Sequence, residues 1–232
     1  METEMTTSLP RHGGDAPPSA VPSNENEEIP PSQWHDRKLF FRHWLRAPGV
    51  TGAMLPSSRA MARTMGTVLE GYQSPTVAEL GSGTGAVTAV IQQRLRGASP
   101  HLAIEIHEEF ASRLQKLYPD VSVVNQSAAD LEQILKEHQI DSLDVVISGL
   151  PFTAFTPQLQ SDILDAVVGS LNEDGVFATH RYVGAGYFPA AQRFRALLES
   201  RFAEVTVSRP NFGNLPPARL LTARGPRKSP TT

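Results

Sequence analysis

The sequence predicts an α/β fold: a doubly wound, mostly parallel sheet that ends in an antiparallel hairpin and carries extra helices on its N-terminal side. Three observations predict it. Short apolar runs alternate with helix-length stretches from Thr76 to Arg201, the pattern of strands joined by crossover helices and covered on both faces. The first run ends in a glycine-rich turn, VAELGSGTG at 77–85, and restarts as a helix. The last two runs are separated by the turn-rich NFGNLPP and read as a hairpin.

Composition bounds the chain before any motif is considered. At 232 residues it can hold one α/β domain with a full core, and it is too short for two once its N-terminal tail is set aside. A net charge of −3 argues against a protein that coats nucleic acid by charge alone. Zero cysteines exclude disulfides, thiolate zinc and a cysteine nucleophile, and no metal is expected. The reducing cytoplasm is the expected location. No apolar run approaches the roughly 18 residues that span a bilayer, and METEMTT lacks the features of a secretory signal, so any membrane contact is expected to be peripheral, at the inner face.

Residues 1–33 are rich in Pro, Ser, Thr, Gly and Glu, with Leu9 and Ile29 almost their sole large apolar side chains, and are expected to be a disordered tail. Residues 34–71 form an N-terminal helical segment. Within it, WHDRKLFFRHWLR at 34–46 sets Phe40, Phe41, Trp44 and Leu45 along one helical stripe, with Arg37, Lys38, Arg42 and Arg46 around the rest. It reads equally as a lid on the domain or as a helix lying on an anionic lipid surface. A second helix is expected from Pro56-Ser57-Ser58 toward Glu70, capped by serine.

Residues 72–224 form the main domain, followed by a flexible tail at 225–232. Strands are expected at Thr76–Leu80, Leu102–Ile106, Val121–Val124, Leu143–Ser148, Gly175–Thr179, Ala203–Val207 and Arg219–Ala223. Helices are expected at Ala86–Arg96, Glu108–Leu117, Ala129–His138, Gln158–Leu171 and Pro189–Arg201. Five alternating strands closed by an antiparallel hairpin is the arrangement of the Rossmann-like class I methyltransferases.

The glycine turn sets the ligand chemistry. Gly81, Gly83 and Gly85, with Ser82 and Thr84 between them, let backbone approach a ligand, and the helix after them aims its free N–H groups there. Glycine spacing alone also fits the looser dinucleotide fingerprint. Glu79 separates the two readings, because a carboxylate at the strand end suits an ammonium or sulfonium and repels a pyrophosphate. S-adenosyl-L-methionine carries both cations. The bland alternative is a tight turn with a solvated Glu79.

Glu105, twenty residues after Gly85, is positioned to accept from both ribose hydroxyls, against a reading as a surface acid beside His107. Ile106 is a candidate for the adenine face or for the core. Ser127 and Ala128 stand where an acid and a backbone N–H usually meet the adenine edge. Ser148, Gly149, Leu150, Pro151 and Phe152 form a loop expected beside the transferable methyl. Phe152 offers an aromatic face to a cation, or a buried ring, with equal weight.

The segments FFRHWLRAPGVTGAMLPSSRAMARTM, VAELGSGTGAVT, AIEIHEEF, VISGLPF and NLPPARL together resemble the bacterial phospholipid N-methyltransferases, over nearly all of residues 37–224. More distantly the chain resembles the ribosomal RNA adenine dimethyltransferases. Their amine-binding Asn-Leu-Pro-aromatic loop has Gly149 at its Asn position here, so no nucleic-acid partner is expected. The resemblance implies stepwise methyl transfer from S-adenosyl-L-methionine to the amine of phosphatidylethanolamine. It also implies a peripheral contact with an anionic membrane surface, through Phe41, Arg42 and Trp44. Phe152, Tyr182 and Trp44 become candidates for an aromatic cage, and His180 and Tyr182, in THRY, for proton relay. Structural readings of the pair, as a core edge and a solvated histidine, stand beside this one. A small-molecule N- or O-methyltransferase of secondary metabolism, a relative of the ribosomal RNA adenine methyltransferases and a non-catalytic cofactor-binding protein are the alternatives.

Overall fold

The structure, a computed structural model, describes residues 59–97, 99–214 and 216–228. The expected tail at 1–33, the Trp34–Arg46 helix with Phe41, Arg42 and Trp44, and the serine cap at 57–58 lie outside the described residues.

The described chain opens with helix α1 (Arg59–Gly66) and a 3-10 turn at Thr67–Leu69. Strand β1 (Val77–Leu80), helix α2 (Ala86–Leu95), β2 (His101–Ile104), α3 (Glu108–Leu117), β3 (Ser122–Val124), α4 (Leu131–Glu137) and β4 (Leu143–Ser148) then alternate. Helix α5 (Pro157–Ser170), strand β5 (Leu171–Tyr182), helix α6 (Pro189–Arg201) and strands β6 (Phe202–Val207) and β7 (Ala218–Pro226) complete it. The sheet order is β3-β2-β1-β4-β5-β7-β6, parallel throughout except that β7 runs antiparallel to both β5 and β6. This is the expected doubly wound sheet with its hairpin. The direction of winding reverses between β1 and β4, and the crevice at the carboxyl ends of those strands is where open α/β sheets bind ligands.

Two apolar layers hold the helices to the sheet. On one face Leu80, Val146, Phe177 and Leu221 pack with Ile163 and Leu164 of α5 and with Phe194 and Leu198 of α6. On the other, Val77, Val145, Ile147 and Ala178 pack with Met61 and Met65 of α1 and with Val87 and Ile91 of α2. The strands therefore carry apolar side chains on both faces, as a sheet covered on both sides requires.

Three boundaries differ from expectation, two of them for a visible physical reason. NEDG at 172–175 has turn composition, yet β5 starts at Leu171, which pairs with Leu143 before the register shifts to Val145 and Val176. Asn172 Nδ2 donates to Asp144 Oδ1 at 2.6 Å and bridges the irregularity. At the C-terminal end, β7 continues to Pro226 and Arg227 N–H donates to Arg201 O at 2.8 Å. Residues 225 and 226, assigned to a tail from composition, thus belong to the sheet. Glu105 and Ile106, expected inside β2, lie just past its last residue.

Candidate active site

Three segments meet at the reversal of strand order. Gly81 N–H donates to Ile104 O and Gly149 N–H donates to Leu80 O, each at 2.8 Å, tying the glycine turn to the ends of β2 and β4. The contact is close enough to exclude side chains. A Cβ on Gly149 would stand 2.9 Å from the backbone oxygen of Gly81, and one on Gly81 would stand 2.7 Å from Leu150 Cδ2. Gly149 is therefore required by the approach of two backbones, a cause separate from the choice of acceptor. Gly85 starts α2 at φ +84°, in the left-handed region that favours glycine.

Glu79, at the end of β1, is 1% exposed and sits in a buried polar network. Thr88 of α2 donates its hydroxyl to Glu79 Oε2 at 2.7 Å, and His101 Nε2 lies 3.4 Å from the same oxygen. Gln92 Nε2 stands 2.9 Å from His101 Nδ1, an arrangement that assigns the imidazole proton to Nε2, facing the carboxylate. Glu79 Oε1 is buried with no hydrogen-bond partner. A buried carboxylate oxygen left open in this way calls for a donor or cation from a ligand.

Glu105 joins the second strand to the glycine turn. Its Oε2 accepts from Gly83 N–H at 2.8 Å and its Oε1 from His107 N–H at 2.9 Å. Each oxygen keeps one lone pair, enough to receive a vicinal pair of hydroxyls. Asn125, just beyond β3, donates Nδ2–H to Glu105 O at 2.8 Å and fixes the loop. Sequence reasoning missed Asn125, whose signal is an amide side chain directly after a strand. Ile106 is half-buried and outside the packed clusters, consistent with a platform for a planar ring. Ser127 caps the turn at 128–130 by accepting from Ala129 N–H at 3.3 Å. Ser148 is fully buried, with Oγ accepting from Leu150 N–H at 3.2 Å, so it shapes the loop. The open Glu79 oxygen, the buried and unpartnered Ser82 hydroxyl and the Glu105 carboxylate fit the amine, carboxylate and ribose of S-adenosyl-L-methionine. Thr84 is exposed at the lip of the turn.

Across the glycine turn a cleft is lined by Gly149, Pro151, His180, Tyr182, Ala185 and Phe194. His180 and Tyr182 meet edge to face at 5.7 Å. Burial lowers the His180 pKa to about 4 and raises that of the Tyr182 phenol. Both groups are therefore neutral near pH 7. An imidazole with so low a pKa takes a proton from an alkylammonium only weakly, which weighs against the proton-relay expectation for His180. For Phe152 the structure favours the buried-ring reading: its ring is 3% exposed, stacked on Phe194 at 4.2 Å and edge-on to Phe155 and Phe177, and it anchors the loop in the core while the residue still lines the cleft.

The comparisons with known proteins agree with this geometry. Residues 78–179 match the family described as a methyltransferase domain. A curated relative, the ornithine lipid N-methyltransferase of Singulisphaera acidiphila, is 32% identical over 195 residues, covering 82% of this chain and 97% of the relative. Among solved structures, the fold is similar to an O-methyltransferase from Bacillus cereus in complex with SAH, at 14% identity and a TM-score of 0.59 over 85% of this chain and 93% of that one. It is also similar to the 1,6-didemethyltoxoflavin-N1-methyltransferase of Burkholderia thailandensis with bound S-adenosylhomocysteine, at 14% identity and a TM-score of 0.58 over 88% and 94%.

Proposed function

Because the chain belongs to the class I S-adenosylmethionine-dependent methyltransferases, alongside the bacterial lipid N-methyltransferases, we propose that it methylates the primary amine of a membrane lipid headgroup. The likeness to a lipid amine methyltransferase over nearly its whole length carries this reading. Phosphatidylethanolamine is favoured by the motif resemblance and ornithine lipid by the curated relative; both present a primary amine on a short flexible arm.

S-adenosyl-L-methionine supplies an electrophilic methyl when bound. The chain's part is to hold it and to aim the amine. The glycine turn, Glu79 and Glu105 hold the cofactor, while the Ser148–Pro151 loop packs against Gly81 and lies beside the transferable methyl. Neither His180 nor Tyr182 has a pKa suited to general-base work near neutrality, so the acceptor reacts from its free-base fraction and the amine proton goes to water. Positioning and exclusion of water then supply the rate enhancement. The successive products lose N–H donors and grow bulkier, which a cleft lined by Tyr182, Pro151 and Ala185 accommodates without a fixed partner.

The enzyme works as a peripheral protein at the inner membrane face. Val183, Tyr187 and Phe188, next to the cleft, are exposed, and Phe212 is exposed in the loop before β7. Val183 N–H donates to Pro217 O at 2.7 Å, so β5 and the loop before β7 present these side chains at one end of the sheet. No helix among the described residues is long and apolar enough to cross a membrane.

Purified protein incubated with methyl-labelled cofactor and vesicles of phosphatidylethanolamine, vesicles of ornithine lipid, or a soluble metabolite extract tests the reading. Label is expected in the organic phase with one or both lipids. Label confined to the metabolite extract would replace it with small-molecule methylation, and cofactor binding without turnover on any acceptor with a non-catalytic role.

A further inference from the structure

Beside the acceptor cleft lies a second concavity, continuous with it through Arg181 and Tyr182 and lined also by Gln192, Arg195 and Arg219. Three guanidinium groups thus come from β5, α6 and β7. Arg181 and Arg219 are direct cross-strand partners in the antiparallel β5–β7 pairing, so both side chains leave the sheet on the same face. Like charges placed opposite one another destabilise a sheet. Burial and the positive charges of Arg195 and Arg219 together lower the proton affinity of Arg181. The local field is strongly positive.

Among the described residues, a carboxylate pairs with the cluster only at Arg195, through Glu199. Among the described residues, no carboxylate lies within ion-pair distance of Arg181 or Arg219, although the chain uses Glu70, Asp165 and Glu199 to pair Arg94, Arg201 and Arg195. Arg219 Nη1 donates to Ser208 O at 3.2 Å, and the Arg195 pair with Glu199 at 2.7 Å engages only its Nε. The guanidinium of Arg181 has no hydrogen-bond acceptor among the described residues. It lies against Gly186, where a Cβ would come 2.9 Å from Nη1. Planar forks of this kind bind carboxylate or phosphate oxygens in bidentate fashion.

We propose that Arg181, Arg195 and Arg219 form an anion subsite that holds the oxyanion of the acceptor headgroup while its amine occupies the neighbouring cleft. This rests on the lipid-amine reading. Both headgroups are zwitterions in which an oxyanion and the amine share one small scaffold: a phosphodiester in phosphatidylethanolamine, a carboxylate in ornithine lipid. Anchoring the anion fixes the reach of the amine toward the glycine turn. It also favours zwitterionic lipids over simple amines, whose lone positive charge the three arginines repel.

The test compares wild type with R181Q, R219Q and the double variant, each checked for unchanged thermal melting and unchanged S-adenosylhomocysteine affinity. With phosphatidylethanolamine or ornithine lipid vesicles the double variant is expected to raise KM at least tenfold with little change in kcat. With dodecylamine, which has no oxyanion, KM should stay level or fall. A penalty on only one lipid identifies phosphodiester or carboxylate as the bound group. A separate titration with inorganic phosphate keeps the two ideas apart: arginine-dependent phosphate binding without lipid methylation would sustain the subsite and sink the lipid reading. Methylation of lipid with KM and phosphate binding unaffected by either substitution, or an equal KM rise on dodecylamine, would overturn the subsite.

Discussion

The backbone N–H of Gly83 donates to the Glu105 carboxylate at 2.8 Å, so the glycine turn after β1 and the acid after β2 form one structural unit. His107 N–H holds the other oxygen of that carboxylate. Two backbone donors on one carboxylate orient the lone pairs that the proposed cofactor site would offer to a ribose. Glu105→Gln turns one of those acceptors into an NH2 that faces a backbone N–H. The expected loss is about 1–3 kcal/mol of cofactor binding, a roughly ten- to hundredfold weaker affinity. Calorimetric titration with S-adenosylhomocysteine checks it, and an unchanged dissociation constant would remove Glu105 from the cofactor site.

Much of this half of the site is legible in sequence because it is local. VAELGSGTG carries its strand, turn and helix start within nine residues, and Glu105 follows at a spacing set by one helix and one strand. What sequence does not reveal is set by pairing between distant segments. The Arg181–Arg219 juxtaposition depends on the β5–β7 register, and the depressed basicity of His180 on how deeply the strand end is covered. Phe152 illustrates a different failure. An aromatic residue after a strand suits a cage or a core equally, and only the stacked Phe194, more than forty residues away, decides for the core.

Gly149 gives a prediction about fold and chemistry together. Because its missing Cβ would meet the Gly81 carbonyl at 2.9 Å, Gly149→Ala must separate the two loops or distort one of them. A destabilisation of about 1–3 kcal/mol is expected, the usual cost of overpacking, together with weaker cofactor binding. Gly149→Asn should be at least as costly and should not create activity on adenine in RNA. Urea denaturation and a filter assay with labelled cofactor read the two effects; wild-type stability in the Ala variant would show that the loops are free to move apart.

His180 makes stability depend on pH in a defined window. Its folded pKa, about 4, lies below the ordinary 6.5, so between these values the unfolded chain binds more protons and acid favours unfolding. Stability from this group is complete above pH 6.5 and declines as pH falls toward 4. Lowering the pH from 7 to 5 is expected to cost wild type about 1–2 kcal/mol more than His180→Asn, which does not titrate. The same substitution should leave the alkaline rise of kcat/KM in place, because that rise belongs to the acceptor amine. A rise that disappears in His180→Asn would restore the imidazole as the base.

The proposed membrane attachment would separate into an apolar part and a charged part. Tyr187 is 87% exposed and Phe188 65%, beside the acceptor cleft, where large apolar surface in water is costly unless something covers it. Inserting both rings into the headgroup region would recover about 1–2 kcal/mol each at ~25 cal/mol per Å². Y187S/F188S should therefore bind anionic vesicles roughly thirty- to several-hundredfold more weakly, by an amount that salt does not change. The basic segment 34–46 would act differently. Its arginines and lysine attract anionic lipid over a distance of about 10 Å at 0.1 M salt, so their share fades as salt rises, whereas F41A/W44A removes the apolar share of that segment. Co-sedimentation of the two double variants across a salt series resolves the contributions. If neither variant differs from wild type at any salt concentration, the protein does not reach its acceptor through these surfaces.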